Sequence, residues 1–285
     1  MLFSKDHLTG ARAMAISTLT TDMGLKDHYV AVVKGSILGL FPQAVIVDVS
    51  HQITPFDNAQ AAFVLRNAYP AFPKGTVHLI GVNPGADAQT PHLVVMHDGH
   101  WFVGADNGIF SLLFDGKPQT LHALRMVSEP GDAAFPVKGV LARAACHLAQ
   151  GGAVEAIAEP TVNFRQQLGF IPAMDHESIR GVVVHVDTYG NVVTNIHRDQ
   201  FVALVKDHPF RITFGRSQYD IAVLNQTYDE GPQGERVALF GASGMLEIAV
   251  NKGVEGSGGG ASRLFGLHVQ DPVRVELRGQ RALAS

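Results

Sequence analysis

The first 150 residues repeat one pattern, a short apolar run followed by a segment of helical spacing, and this alternation does most to limit the fold. Ala15 to Thr20 reads as a buried strand that ends in Thr21-Asp22-Met23-Gly24. From Asp27 to Leu40 the apolar residues Val30, Val33, Ile37 and Leu40 recur at the interval of one helix face, and the segment stops at Pro42. Ala44 to Val49 is a second, β-branched run. Asp57 stands as an N-cap before a helix through Ala68, with Ala61, Val64 and Leu65 on one side. Thr76 to Val82 is a third strand, broken by Asn83-Pro84-Gly85. Near-continuous apolar strands separated by helices predict a mostly parallel sheet covered on both faces. Shorter strands follow at His92 to Met96 and Trp101 to Val103, then a small helix near Asn107 and a longer one from Val137 to Ala149.

The pattern then changes. Gly151-Gly152, Pro160 and Pro172 punctuate a stretch of weak periodicity that reads as a connection between domains. The expected division is a tail at 1–14, an α/β substrate-binding domain at 15–158, a linker at 159–177 and a second domain at 178–285. In that second domain Ile179 to Val186, Asn191 to Ile196, Phe210 to Phe214, Arg236 to Phe240, Met245 to Val250 and Val273 to Leu277 are short strands, with one helix near Asp199 to Lys206. Many short strands with Gly-rich turns predict a small β-barrel or sandwich. Gly253 to Gly260 is a glycine-rich loop that lacks the strand-then-helix setting of a dinucleotide fingerprint.

Composition narrows the class. Charged residues make up 17% of the chain, below the usual roughly 25%, so part of the surface is expected to be covered by another subunit. The formal net charge is −4, from 22 basic and 26 acidic residues, which speaks against a nucleic-acid binder and against a polybasic membrane binder. The single cysteine, Cys146, excludes an intramolecular disulfide framework and fits a reducing, cytoplasmic compartment. Met1 to Met14 carries Lys5, Asp6 and Arg12 without a long apolar core, unlike a signal peptide. No apolar run approaches the roughly 20 residues of a membrane span.

Ligands of open α/β sheets bind outside the carboxyl ends of the strands. Three strands of the first half end in polar residues there: Asp22, Ser50-His51 and Asn83. In the second half, Asp187-Thr-Tyr-Gly-Asn191 places an acid and an amide around Tyr189 at a strand end. An aromatic there can stack on a base while Asp or Asn reads its polar edge, and the same residues also suit a plain β-turn. His97-Asp-Gly-His100 reads as a turn between strands rather than a metal site, and no P-loop, HExxH or GxSxG motif occurs.

The segments Leu19-Thr-Thr-Asp-Met-Gly24, Val47-Asp-Val-Ser-His-Gln-Ile-Thr-Pro-Phe-Asp57, Phe72-Pro-Lys-Gly-Thr-Val77, Val103-Gly-Ala-Asp-Asn-Gly-Ile-Phe110, Asp187 to Ile196 and Gly244-Met-Leu-Glu-Ile-Ala-Val-Asn251 recur in order and spacing. Through them the chain resembles the S-adenosylmethionine hydroxide adenosyltransferase family, which includes the fluorinase and chlorinase enzymes. The resemblance implies a Rossmann-like N-terminal domain, a C-terminal β-barrel and a homotrimer. It also implies a substrate lying between one subunit's N-terminal domain and its neighbour's C-terminal domain, with S-adenosyl-L-methionine as substrate and no separate cofactor. Carried over residue by residue, Asp22 would bind the ribose hydroxyls, and Phe56 would lie beside the ligand with Asp57 next to it. Asn83 would sit in the substrate loop, as the one candidate for a catalytic role. Asp187 and Asn191 would hold the methionine amino end and the adenine, and Tyr189 would stack on the base. Ser243 and Glu247 match the strand region near the carboxylate and the adenine, and Val250 the backbone edge there.

The chain also departs from the pattern. Hydrolytic members carry an Asp-Pro-Gly segment after the third strand, an Arg shortly after it and a His before the long helix, where this chain has Asn83, Thr90 and Pro136. The halide-binding serine of the fluorinase falls at Val137, its substrate-loop tyrosine at Asn83, and its extra loop is missing. The expected activity is hydrolysis of S-adenosyl-L-methionine to adenosine and L-methionine by attack of water at C5′. The alternatives are a sensor that binds without catalysis and a halogenase.

Overall fold

The computed structural model describes residues 16–87, 89–114, 118–126, 129–215, 219–253 and 259–278. The expected tail at 1–14 and most of the glycine-rich loop fall outside them. The chain forms two compact units, 1–168 and 169–285.

In the first unit, β1 (Ile16–Thr21), β2 (Val45–Ser50), β3 (Val77–Gly81), β4 (His92–His97), β5 (His100–Ala105), β6 (Thr120–Leu124) and β7 (Ala158–Pro160) form one sheet in the order β2-β1-β3-β5-β4-β6-β7. The run β2-β1-β3-β5 is parallel and the remaining pairs are antiparallel. Five of the seven strands therefore point the same way, the mostly parallel sheet that the apolar runs predict. The β4–β5 hairpin turns through Asp98 and Gly99, both at positive φ (47° and 73°), the Asp-Gly pair of a tight hairpin turn. His97 and His100 thus face each other across that turn.

Helices cover both faces. On one, α1 (Tyr29–Leu40) and α4 (Ala142–Ala149) bury Val33, Ile37, Ala145 and Leu148 against Leu19, Leu79 and Val103. On the other, α2 (Asn58–Ala68) and α3 (Ile109–Leu113) bury Leu65 and Phe110 against Ile80, Leu93 and Phe102. Each fully buried Leu, Ile or Phe contributes about 1.5–3 kcal/mol, which is why the apolar periodicity located these elements. Pro42 disfavours helical backbone at Phe41, whose φ of −144° ends α1. Asp57 caps α2 by accepting from the Gln60 N–H at 2.9 Å.

The predicted helix from Val137 to Ala149 is broken. Val137–Leu141 is a wide turn with Gly139 outside helical geometry (φ −94°, ψ −106°), and only Ala142–Ala149 is regular. The reason is local: a Cβ at Gly139 would fall 1.8 Å from Asp132 Oδ1. Asp132 is itself fixed by Arg143 at 2.7 Å, so the backbone bends around that ion pair.

In the second unit the sheet runs β12 (Tyr219–Ile221), β11 (Phe210–Phe214), β15 (Pro272–Leu277), β9 (Ser178–Val186), β10 (Val192–His197), β14 (Met245–Val250), β13 (Arg236–Phe240), with β8 (Ala173–Met174) paired to β9. All pairs are antiparallel. The two ends approach, and Arg236 Nε of β13 donates to the Asp220 carbonyl of β12 at 2.8 Å, leaving a nearly closed barrel. Its interior holds Ile179, Val192, Ile212, Ile248 and Val275, joined by Phe201 of α5 (Arg198–Val205) and Ala261 of α6 (Ala261–Phe265).

Candidate functional site

In the first unit the polar strand ends meet. Asp22 follows β1 directly, and its Oδ2 accepts the backbone N–H of Phe56 at 3.0 Å and of Asn83 at 3.4 Å. Both donors lie in the left-handed region, Phe56 at φ 67° and Asn83 at φ 44°. Asn enters that region at little cost, whereas a bulky residue such as Phe is held there against its preference. The loop enforces it: Asp57 N–H bonds the Thr54 carbonyl, Asn58 N–H the Phe56 carbonyl, and Thr54 N–H the Gln60 side chain. Strain of this kind persists where surrounding structure over-determines it, and it clusters at binding sites. The Phe56 ring is left 72% exposed.

Thr21 and His51 stand behind Asp22. His51 is buried, its Nδ1 2.8 Å from Thr21 Oγ1 and its Nε2 3.0 Å from Asp48 Oδ1, off the line of the N–H. Asp48 Oδ2 lies 2.6 Å from Lys34 Nζ. Burial pushes the Asp48 carboxyl up, but its bond to Lys34 and the adjacent His51 ring outweigh this and hold it below the usual carboxylate range.

Asn83 borders a cleft of 720 Å³ lined also by Asn58, Asp87, Thr90, Asn107 and Arg165. Asn107 Nδ2 donates to the carbonyls of Val82 and Asn83 at 3.0 and 2.9 Å, fixing the loop from β3. His92 Nε2 sits 2.9 Å from the Pro84 carbonyl, bracing the loop from the other side. The segment carrying Arg165 is pinned where its N–H donates to Asp106 Oδ1 at 2.8 Å. Burial raises the Asp106 pKa, and that bond and the Arg165 charge oppose the rise. The one carboxylate lining the cleft, Asp87, accepts the N–H groups of Gln89 and Thr90, each at 2.7 Å.

In the second unit, Asp187 organises the β9–β10 turn. Its Oδ1 accepts from the N–H of Tyr189 and Asn191 at 2.9 and 2.8 Å, and its Oδ2 from Asn191 Nδ2 at 2.9 Å. Gly190 takes φ 77°, and a Cβ there would lie 3.0 Å from Gly260 Cα, so only glycine allows that approach. The turn presents the Tyr189 ring, 63% exposed. Glu247 lies on the neighbouring strand opposite Val193, buried, and Tyr228 Oη donates to it at 2.5 Å. Burial raises the Glu247 pKa; the Tyr228 bond opposes this and the Asp187 charge adds to it.

These two halves match known domains in the same order. Residues 17–158 match the SAM hydroxide adenosyltransferase N-terminal domain and residues 181–274 its C-terminal domain. The chain belongs to the SAM hydroxide adenosyltransferase family. An (R)-S-adenosyl-L-methionine hydrolase of Thermus thermophilus is 34% identical, over 90% of this chain and 97% of that protein. A fluorinase of Nocardia brasiliensis is 25% identical, over 83% of this chain and 90% of its own length. An uncharacterized conserved protein from Thermotoga maritima shares the structure at a TM-score of 0.80 and 29% identity, covering 91% of this chain and 99% of that one.

Within this family member the residues expected from sequence separate into groups. Asp22, the Phe56 backbone and Asn83 converge in the first unit, and Asp57 serves as a helix cap. In the second unit, Asp187, Tyr189 and Asn191 share one turn. Val250 lies at the adjoining end of β14 with its side chain in the barrel core. Ser243 lies beyond the opposite end, in the β13–β14 turn, where its Oγ accepts the Met245 N–H at 3.3 Å. Roughly 20 Å of strand separates Ser243 from Val250. Sequence reasoning marked His51 only as a polar strand end, without a role, and missed Asn107, Arg165 and Tyr228. His51 and Asn107 lie inside the family segments, whereas Arg165 and Tyr228 sit in stretches without periodicity and carry no local signal.

Replacing Tyr228 by Phe is expected to cost about 1–2 kcal/mol, because the buried Glu247 carboxylate loses its hydroxyl donor. Urea unfolding of both proteins checks it, and equal midpoints would show that water supplies the lost bond.

Proposed function

We propose that the protein hydrolyses S-adenosyl-L-methionine to adenosine and L-methionine, by nucleophilic substitution of water at C5′. The observation that carries this reading is Asp22. It is a carboxylate fixed at the carboxyl end of a parallel strand, in a chain whose relatives bear the name (R)-S-adenosyl-L-methionine hydrolase. A carboxylate accepts from both hydroxyls of a ribose cis-diol, and Oδ1 is free of protein donors among the described residues. In this reading Phe56 and Asp57 border the sugar, the Tyr189 ring stacks on adenine, and Asp187, Asn191, Ser243, Glu247 and the Val250 backbone serve the adenine and the methionine end. Methionine leaves a sulfonium as a neutral thioether and needs no general acid. The barrier falls by alignment and by exclusion of bulk water. Asn83 orients the attacking water, though an amide cannot deprotonate it.

The reading extends to the assembly. The low charge supports a buried subunit contact, which the family resemblance extends to a homotrimer with each site at a subunit interface. The single cysteine supports a cytoplasmic setting, and the parallel β2-β1-β3 order between two helical layers a Rossmann-like N-terminal domain. A second reading, binding without turnover, is favoured by the engaged state of Asp87 and the amide at Asn83. A halogenase is disfavoured, because Val137 has no exposed surface and packs in the core.

Incubation with S-adenosyl-L-methionine in water enriched in ¹⁸O tests the proposal: label at the adenosine 5′-oxygen is the expected product, and unconverted substrate bound by the protein would favour the sensor. Asn83→Asp supplies a carboxylate of the same shape at a position where Asp also tolerates positive φ. Hydrolysis is expected to rise, by less than the ~10²-fold low end of general-base catalysis. Asn83→Ala should slow it while leaving adenosine affinity within about twofold, since the Asp22 contact uses the residue 83 backbone. Single-turnover kinetics of the three proteins decide, and an unchanged rate in both variants would remove Asn83 from the chemistry.

A further inference from the structure

We propose that His51 is the positioning residue that sets Asp22 for recognition of a cis-diol; this rests on the ribose-binding reading of Asp22. His51 holds the chain on both sides of that carboxylate. Its side chain bonds Thr21, the residue before Asp22, and its carbonyl accepts the N–H of Gly24 at 2.7 Å, two residues after it. Thr21 Oγ1 also takes a long bond of 3.4 Å from the Met23 N–H. The backbone around Asp22 is thereby fixed at residues 21, 23 and 24, while Phe56 and Asn83 fix the carboxylate itself.

The polarity of the chain of contacts is determined by chemistry. Asp48 Oδ1, a pure acceptor 3.0 Å from Nε2, electrostatically favours the neutral imidazole with its proton on Nε2, although that N–H points off the line to the oxygen. Nδ1 is then the acceptor, and the Thr21 hydroxyl donates to it. Lys34 of α1 anchors the far end by donating to Asp48. A helix, β2 and β1 are thus tied together through one buried ring, 4% exposed.

A second observation points to the same place. The β1–β2 register shifts between Leu19 and Thr20, so that Leu19 pairs with Asp48 and Thr20 with Ser50. A β-bulge re-aims the residues beyond it, and those residues are Thr21-Asp22 on one strand and His51 on the other. As a stability device a buried polar chain returns little over packed apolar side chains. As a positioning device it holds a binding carboxylate to the tolerance of about 0.5 Å that a functional group requires.

The test measures affinity for adenosine and for 2′,3′-dideoxyadenosine by calorimetry. His51→Ala is expected to weaken adenosine roughly tenfold and dideoxyadenosine by less than about twofold. His51→Asn, whose Oδ1 stands where Nδ1 was and still accepts from Thr21, should restore adenosine binding to within about threefold. Combining His51→Ala with Asp22→Ala should add nothing to Asp22→Ala alone. Should His51→Ala fail to fold, Thr21→Val cuts the same contact isosterically and should show the same diol-selective loss. Equal weakening of both nucleosides, or no weakening of either, would overturn the proposal while leaving the ribose-binding reading intact. A wild-type protein that binds both nucleosides equally would remove that reading and this inference with it.

Discussion

Lowering the pH from 7.5 to 4.5 is expected to cost the fold about 2–3 kcal/mol through His78 alone. His78 lies on β3 with no exposed surface, enclosed by Tyr69, Phe72 and Phe102. Its Nδ1 is 2.7 Å from Thr18 Oγ1, and its Nε2 is 3.2 Å from Nδ1 of the equally buried His100. Burial pushes its pKa down to about 3, and the neighbouring His100 adds to the shift. The folded value is therefore below that of the unfolded chain, near 6.5. Above pH 6.5 neither state binds the proton and His78 is silent. As the pH falls from 6.5 toward 3, the unfolded chain takes a proton that the fold refuses, and stability drops by about 1.4 kcal/mol per unit. Carboxylates held low, such as Asp48 and Asp132, begin to withdraw their contribution only below about pH 4. Asp106 and Glu247, pushed up by burial, act in the opposite direction to His78 as the pH falls, so the comparison with a His78 variant isolates its share. Urea unfolding at both pH values checks this. His78→Phe leaves Thr18 and His100 without a partner, costing roughly 1–3 kcal/mol at pH 7.5, but the wild-type slope against pH should flatten. The same slope in both proteins would mean that His78 is protonated inside the fold.

The elements that sequence reading located are those whose signal is local. Asp57 announces the start of α2 because an N-cap bonds a backbone N–H only three residues on. The strands β2 and β3 announce themselves through β-branched and apolar residues, Val45-Ile-Val and Leu79-Ile80, bounded by turn residues. β6 and β7 were missed for the opposite reason. They lie at the sheet's antiparallel edge, β6 is a short run interrupted by His122, and β7 is three residues long at the expected boundary between domain and linker. The break at Gly139 was invisible because its cause, Asp132, lies outside the helix and enters from the preceding loop.

The site was legible where function rides on motif and illegible where it rides on pairing. Asp22 and Asn83 were marked by their place at strand ends. The bond from the Asn83 backbone to Asp22 spans 61 residues of sequence and could not be read there. His51 stood inside a recognised segment, yet its role depends on a register shift that the sequence does not display. The resemblance places Ser243 and Val250 in one strand region. A strand carries neighbours apart at about 3.3 Å per residue, so the structure puts them at opposite ends of β14.

Asp22→Ala should weaken adenosine and S-adenosyl-L-methionine binding by about 1.5–3 kcal/mol, roughly tenfold to a hundredfold. Two effects add. The charge-assisted bonds to the 2′- and 3′-hydroxyls disappear. In addition the Phe56 and Asn83 N–H groups lose their acceptor, and with it the contact that holds two residues at positive φ. The second effect predicts a signature beyond affinity, because loops released from a strained conformation gain freedom. Amide exchange at Phe56 and Asn83 should accelerate in the variant even without ligand, while exchange in β14 stays unchanged. Asp22→Asn separates the two contributions. Its side-chain oxygen can still accept from both N–H groups, so exchange should remain slow while affinity falls through loss of charge. Unchanged affinity for adenosine in Asp22→Ala, with a wild-type protein that binds it, would place the ribose elsewhere and leave Asp22 as a brace for the Phe56 and Asn83 loops alone.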